Sequence, residues 1–285
     1  MIFSIPTNGQ EKKDINNEDK KEEKNMEDKE EKKEEKTISD LTKSSKKIDG
    51  MFTIYQDTIN GKLKMVVSKD QFDKEFIYFS QIADGVVEAG RFRGSYQNEA
   101  IFQIKRYFDK IEFTAPNTNF YFDPSSPLSN SKEANISQAI FYSTKILAED
   151  KEKEHYLIDI NKMFLSETLT RIKYPKRPGA SSSAFSLGSF DKEKSKVEEI
   201  NNYPENTNLK TEYVYNNPSF LNGGSEAVTD ARNVSIKVFH SMIAMPDENF
   251  EVRYADPRVG YFTTETNNMT TTSTTNYRDM INKWR

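Results

Sequence analysis

The chain offers few residues whose chemistry could support catalysis. It has two histidines and no cysteine in 285 residues, which excludes a disulfide framework, a thiolate zinc site and a thiol nucleophile. His155 has no second histidine four positions away, so the two-histidine helical zinc site is not present. His240 lies in an apolar run, which is typical of a core histidine hydrogen-bonded to the backbone. We therefore expect His155 to be a surface or packing residue and this chain to bind no stoichiometric zinc.

The most sharply patterned stretch is residues 256–262, with the sequence Asp-Pro-Arg-Val-Gly-Tyr-Phe. Asp256 before proline favours a turn, and the planar fork of Arg258 can pair with a carboxylate. Gly260 permits a close backbone approach just before the aromatic pair Tyr261 and Phe262. The stretch indicates either a structural corner or an interface with another domain.

Two further features could suggest catalysis or ligand binding. Residues 90–94, Gly-Arg-Phe-Arg-Gly, lack the Gly-Lys-Ser/Thr ending of a phosphate loop, so we interpret them as a flexible, mildly basic loop. Carboxylates are so abundant that no pair stands out as an acid and a base. The sequence therefore predicts no catalytic residue and no cofactor-binding residue in this chain.

Charge divides the chain sharply. Residues 11–36 hold 12 acidic residues and 9 lysines, whereas the remainder carries 33 acidic against 32 basic residues. We expect residues 11–36 to form a disordered tether or a single helix, acting as a spacer or a binding tail. The nearly neutral remainder gives no electrostatic reason to expect nucleic acid as a partner. No apolar run approaches the ~20 residues of a transmembrane segment. Residues 1–10 are either the end of a secretory signal peptide or an N-terminus with no targeting function.

From position 37 onward the sequence predicts an α+β fold, predominantly antiparallel β-sheet with a few short helices. Residues 51–55 and 63–67 flank Asn60-Gly61, which suits a tight hairpin turn. Residues 100–108 and 111–113 predict a second hairpin, and residues 145–148 and 155–160 a third. Further strands are expected at residues 76–82, 197–203, 209–215 and 234–245. We expect helices at about residues 39–48, at residues 135–140 and from residue 161, and a loop at residues 176–189.

Several motifs, in order, resemble two uncharacterised domains of secreted bacterial zinc-dependent metalloproteases of the zincin type. Residues 48–85 are similar to a short domain through Gly-Met-Phe-Thr-Ile-Tyr (50–55), Lys-Glu-Phe-Ile-Tyr-Phe (74–79) and Ser-Gln-Ile-Ala-Asp-Gly (80–85). Residues 95–285 are similar to a longer domain through Leu-Ile-Asp (157–159), Phe-Leu-Ser-Glu (164–167), Asn-Tyr-Pro-Glu-Asn (202–206), His-Ser-Met (240–242) and Tyr-Ala-Asp-Pro-Arg-Val-Gly-Tyr-Phe (254–262). The resemblance predicts a short domain at 37–85 and a longer, β-rich domain at 86–285.

In that family both domains precede a catalytic domain with an HExxH motif. The resemblance implies that the zinc ligands and the catalytic glutamate lie beyond residue 285, so zinc is expected only in that missing domain. It also implies export to the periplasm, the cell surface or the medium. The expected partner is the catalytic domain of the same polypeptide, together with peptide or protein substrates.

Two functions remain open at this stage. The chain is either the non-catalytic N-terminal portion of such a protease, which supports, shields or feeds substrate to the catalytic domain, or a self-sufficient cell-surface module that binds a peptide or a glycan. For the first function we expect residues 256–262 and the strand-like residues 277–285 to form the edge that meets the catalytic domain. Arg258 is then an interface anchor, or else it pairs within its own domain. Trp284 is either covered at that edge or frayed.

Overall fold

The computed structural model describes residues 36–175, 178–179, 184–246, 251, 253–256, 258–270 and 276–281. Nearly half of these residues lie in β-strands. The strands are β1 Ser45–Ile48, β2 Thr53–Asp57, β3 Leu63–Ser68, β4 Glu75–Asp84, β5 Tyr96–Tyr107, β6 Lys110–Ala115, β7 Phe120–Tyr121, β8 Ala139–Asp150, β9 His155–Asp159, β10 Ser189–Asn202, β11 Asn206–Asn216, β12 Asn233–Ala244, β13 Thr263–Asn268 and β14 Asn276–Ile281. The helices are α1 Ile38–Thr42 and α2 Asn161–Phe164, with 3-10 turns at Lys69–Gln71, Val87–Ala89 and Pro127–Ser131. The expected signal-peptide remnant, and all but the last residue of the expected tether, lie outside the described residues.

Eleven strands form one sheet in the order β1-β2-β3-β9-β8-β6-β5-β4-β12-β11-β10, and every pairing in it is antiparallel. A smaller sheet has the order β14-β13-β7, in which β13 pairs antiparallel with β14 and parallel with β7. The expectation of a predominantly antiparallel β fold with a few short helices is therefore confirmed. The helices are too short to form a layer of their own.

The two ends of the large sheet come together, so that it forms a nearly closed barrel. Asn202, at the end of β10, donates from Nδ2 to the carbonyl oxygens of Ile48 at 3.0 Å and Phe52 at 2.6 Å. The backbone N–H of Met51 donates to the carbonyl of Tyr203 at 2.6 Å. These bonds give the two sheet ends polar partners, which edge strands otherwise lack.

A glycine makes this close approach feasible. A Cβ atom added to Gly50 would lie only 2.2 Å from Oδ1 of Asn202. That oxygen instead accepts a 2.6 Å hydrogen bond from the hydroxyl of Thr207. A larger residue at position 50 would displace the Asn202 side chain and the hydrogen bonds that it makes across the closure.

The interior of the barrel is filled by side chains. Apolar residues that alternate along the strands face inward, as the sequence pattern predicts. The segment after β9 also enters this core, since Met163, Phe164 and Leu169 are all buried there. The residues that follow β9 therefore fill part of the barrel interior.

The hairpins predicted from sequence are confirmed. β2 pairs with β3 across a turn in which Gly61 has φ +71°, β5 pairs with β6, and β8 pairs with β9. The strands expected at residues 76–82, 197–203, 209–215 and 234–245 correspond to β4, β10, β11 and β12. The expected loop at 176–189 is described only in part, and its last residue begins β10.

The helix predictions were wrong in length or place. α1 ends at Thr42, and Ile48 lies in β1 opposite Ile54. Residues 139–140 begin β8 rather than a helix, and α2 spans only four residues. In each case pairing in the sheet or packing in the core outweighs the weak local helical preference.

Residues 36–285 form one compact unit. Strands from both sides of residue 85 alternate within its large sheet, since β9, β8, β6 and β5 lie between β3 and β4. The division into domains at 37–85 and 86–285 stays a prediction from the sequence.

Candidate functional site

His240 lies on β12 and points into the barrel, where it is fully buried. Its Nδ1 lies 2.8 Å from the hydroxyl of Tyr78, and its Nε2 lies 3.0 Å from that of Thr211 and 3.3 Å from that of Tyr213. The Tyr213 hydroxyl proton is donated to the carbonyl of Phe164 at 2.8 Å, so its oxygen can only accept from the imidazole. These partners assign the imidazole proton to Nε2, with Tyr78 donating to Nδ1.

Burial lowers the pKa of His240 to about 3. The imidazole is therefore neutral at physiological pH, because within the described residues no carboxylate hydrogen-bonds to it to offset the cost of burying its charge. The sequence-based expectation of a core histidine is confirmed. Its hydrogen-bond partners, however, are side-chain hydroxyls rather than the backbone.

A second buried polar cluster fixes the segment that follows α2. The carboxylate of Glu167 accepts hydrogen bonds from the backbone N–H groups of Ile172 at 2.9 Å and Lys173 at 2.8 Å, and from the hydroxyl of Tyr215 at 2.8 Å. Burial, and then the nearby charge of Glu167, raise the pKa of the Tyr215 hydroxyl. The cluster holds this segment against β11.

Arg91 belongs to this cluster, although the sequence indicated a flexible loop there. Its side chain is 2% exposed, and both Nε and Nη2 donate to the carbonyl of Ile172. The guanidinium carbon lies 3.7 Å from the centre of the Tyr174 ring. The interpretation of residues 90–94 as a flexible basic loop was therefore wrong for Arg91, because a buried carbonyl and a stacked ring replace water around its charge.

Asp256 and Val259 are joined by a backbone hydrogen bond at the turn that the sequence predicts. The backbone N–H of Val259 donates to the carbonyl of Asp256 at 2.9 Å. Arg258 donates to both carboxylate oxygens of Asp256, from Nε at 2.8 Å and from Nη2 at 2.6 Å. This pair holds the pKa of Asp256 below its usual value, and both side chains are exposed. Arg258 thus pairs with a residue of its own chain, through Nε and Nη2.

A group of exposed apolar side chains surrounds this turn. We call it the C-terminal apolar patch, and its members are Tyr254, Val259, Tyr261 and Phe262. Phe262 is 90% exposed and Tyr261 is 54% exposed. The segment is held in place because the backbone N–H of Ile281 in β14 donates to the carbonyl of Arg253 at 2.9 Å.

Gly260 and Trp284 were also expected at the interface. A Cβ atom added to Gly260 meets nothing within 4 Å, so no described segment approaches it closely. Trp284 lies outside the described residues, as do residues 282–285 as a whole. The structure thus brings Asp256, Arg258, Tyr261 and Phe262 into one exposed region.

The sequence did not predict a groove of about 330 Å³ beside β7. We call it the β7 groove. Its lining residues are Glu75, Gln103, Lys105, Pro116, Asn117, Phe120, Tyr121, Phe122, Lys132, Glu133, Ile136 and Gln138. Gln103 and Lys105 lie on the outer face of β5, because the intervening Ile104 is fully buried. The groove thus separates the outer face of the large sheet from residues 116–138, for which the sequence predicted no binding site and only the beginning of a helix at residue 135.

Neither a metal site nor a membrane span is found in the described part of the chain. No group of three or more histidine, aspartate or glutamate side chains there could hold a metal ion. No helix within the described ranges is long and apolar enough to cross a membrane.

These features define a compact β-barrel-like protein with a filled core and two candidate binding surfaces, the C-terminal apolar patch and the β7 groove. Residues 94–285 match the model of a family described as "Domain of unknown function (DUF5117)", so the chain belongs to this family. No curated protein and no solved structure matches the chain.

Proposed function

We propose that the chain is the non-catalytic N-terminal portion of a secreted zinc-dependent metalloprotease, and that the C-terminal apolar patch docks its catalytic domain. The sequence resemblance supports this function, because its longest motif, residues 254–262, contains the whole patch. The observation that carries it is the exposure of Phe262 at 90% beside Tyr261 and Val259, each at least half exposed. Clustered exposed aromatic side chains are characteristic of surfaces that bind another protein.

The Asp256–Arg258 pair gives this surface a polar rim. Because the two side chains are exposed and already bonded to each other, the pair contributes little to folding. Its fixed geometry keeps the guanidinium beside the apolar patch. A partner carboxylate can share this guanidinium, since Nη1 makes no hydrogen bond within the described residues.

The first test is whether the gene encodes an HExxH domain after residue 285. If it does, we expect Phe262→Asn in the whole protease to lower kcat/KM on casein at least about thirtyfold, which is the scale of an interface hot spot. The matched control is Phe108→Asn, which alters another phenylalanine that is 78% exposed. Phe108 has φ +49°, a backbone conformation that asparagine tolerates, so this control should keep its fold.

The thermal midpoints of both variants should equal that of the parent, because neither ring is buried. A gene without an HExxH motif, or equal activity of the two variants, would refute the docking function.

A second function, a self-sufficient module that binds a peptide or a glycan, is favoured by the β7 groove. Its volume lies at the lower end of the range for ligand sites, and it combines aromatic rings with amide and charged groups. The aromatic rings of Phe120 and Tyr121 are 36% and 49% exposed there.

A further inference from the structure

We propose that the β7 groove binds an extended peptide segment, which adds to β7 as a fourth strand of the small sheet. This inference deepens the second function and does not depend on the C-terminal apolar patch. It rests on the hydrogen-bonding directions of β7, the way its side chains line the groove and the charge balance of the lining.

β7 uses only one of its two edges. The backbone N–H of Asn267 donates to the carbonyl of Asn119, and that of Met269 donates to the carbonyl of Tyr121, both from the β13 side. Successive peptide groups of a strand point to opposite edges, so the N–H and C=O groups of Phe120 and the N–H group of Phe122 point away from β13. Neither residue forms a backbone hydrogen bond on that side within the described residues.

The groove runs along this free edge. Successive side chains of a strand point to opposite faces, so a groove on one face would be lined by alternate residues only. The β7 groove is lined by three consecutive residues, Phe120, Tyr121 and Phe122. The outward N–H groups of Phe120 and Phe122 and the outward C=O group of Phe120 therefore lie beside the cavity, where an added strand would pair with them.

The remaining lining suits a polypeptide of little net charge. Two lysines, Lys105 and Lys132, balance two glutamates, Glu75 and Glu133, so the groove does not select strongly for either sign. Lys105 also donates to Oε1 of Gln138 at 3.3 Å. Main-chain hydrogen bonds would then provide the affinity, and the half-exposed aromatic rings would contact alternate side chains of the peptide.

The proposal is tested by affinity selection with the full chain from a soluble library of acetylated, amidated octapeptides. The selected peptide is then resynthesised with N-methyl groups on alternate residues, in two complementary sets. A peptide that pairs through one edge loses its donors in one set only. We expect one set to weaken binding by about tenfold or more and the other by less than about twofold, measured by fluorescence anisotropy.

Two protein variants locate the binding. Phe120→Ala removes the ring but keeps the backbone N–H, whereas Phe120→Pro removes both. The N–H of Phe120 bonds to no described group of the fold, so its removal should cost no stability beyond loss of the ring, and the two variants should share one thermal midpoint. Strand addition requires Phe120→Pro to weaken binding at least about fivefold more than Phe120→Ala.

Several results would overturn the proposal. They are the absence of any octapeptide with a Kd below 1 mM, equal effects of the two N-methylated sets, or equal binding by the two Phe120 variants. Binding of cellohexaose, maltohexaose or xylohexaose in place of peptides would instead assign the groove to a glycan. Phe262→Asn should leave peptide binding unchanged, so failure here is distinguishable from failure of the docking function, which is measured as protease activity.

Discussion

His240 should make the stability of the protein fall between pH 7 and pH 5. In the folded state burial lowers its pKa to about 3, whereas in the unfolded chain it titrates near ~6.5. Below ~6.5 the unfolded chain therefore binds a proton that the folded protein does not. By linkage, stability is greatest above this pH and is lost as the pH falls towards 3.

The size of the effect follows from these two values. At pH 5 the folded imidazole is still neutral, so the loss is set by protonation of the unfolded chain. With about 1.4 kcal/mol per pH unit over the roughly 1.5 units from ~6.5 to 5, the free energy of unfolding should fall by about 2 kcal/mol. Carboxylates change stability over part of the same range, but they are shared by parent and variant.

The assay is urea unfolding at pH 7 and pH 5 for the parent, His240→Gln and the control His155→Asn. His240→Gln should lose about 2 kcal/mol less than the parent between the two pH values. His155→Asn removes the other imidazole of the chain and leaves His240 in place. In NMR spectra of the parent, the His240 ring should keep its Nε2–H form down to pH 4. An equal loss in parent and His240→Gln, or a ring that titrates near pH 6, would refute this account of the buried network.

Two further substitutions test other contacts. Asn202→Ala removes three hydrogen bonds at the barrel closure, so urea unfolding should show a free energy of unfolding that is lower by about 3 kcal/mol. The control Asn201→Ala loses a surface hydrogen bond to Glu199 and should have little effect. Arg91→Lys removes the two guanidinium hydrogen bonds to the Ile172 carbonyl and should lower the free energy of unfolding by about 1.5–3 kcal/mol. The side chain of Arg93 is 76% exposed, so the control Arg93→Lys should leave the free energy of unfolding unchanged. Equal stability of either variant and its control would contradict the corresponding contact.

The strands were predictable because their signals are local. Alternation at residues 100–113 and the Asn60-Gly61 turn identify hairpins without knowledge of the rest of the fold. The closure of the barrel was not predictable. It depends on Asn202 meeting residues 48–52, about 150 positions earlier in the chain, and neither segment has a pattern that indicates the other.

The candidate sites show the same contrast. Residues 256–262 were singled out because proline, glycine and two aromatic residues form a compact local pattern. The β7 groove was not, because Gln103, Phe120 and Gln138 come from three separate segments and none is unusual alone. Arg91 was expected in a flexible, mildly basic loop because the carbonyl and ring that replace its water lie about 80 positions later.

The order of strands in the large sheet also determines how the chain must emerge from the ribosome. β4 pairs with β12, which is made roughly 150 residues later. At about 5–20 residues per second, β4 waits about 8–30 s for this neighbour. During that time one edge of a strand carrying Phe76 and Tyr78 has no partner, and such edges are templates for aggregation. A nascent chain paused between residues 84 and 233 is therefore in its most vulnerable state, and a chaperone would have most to protect there.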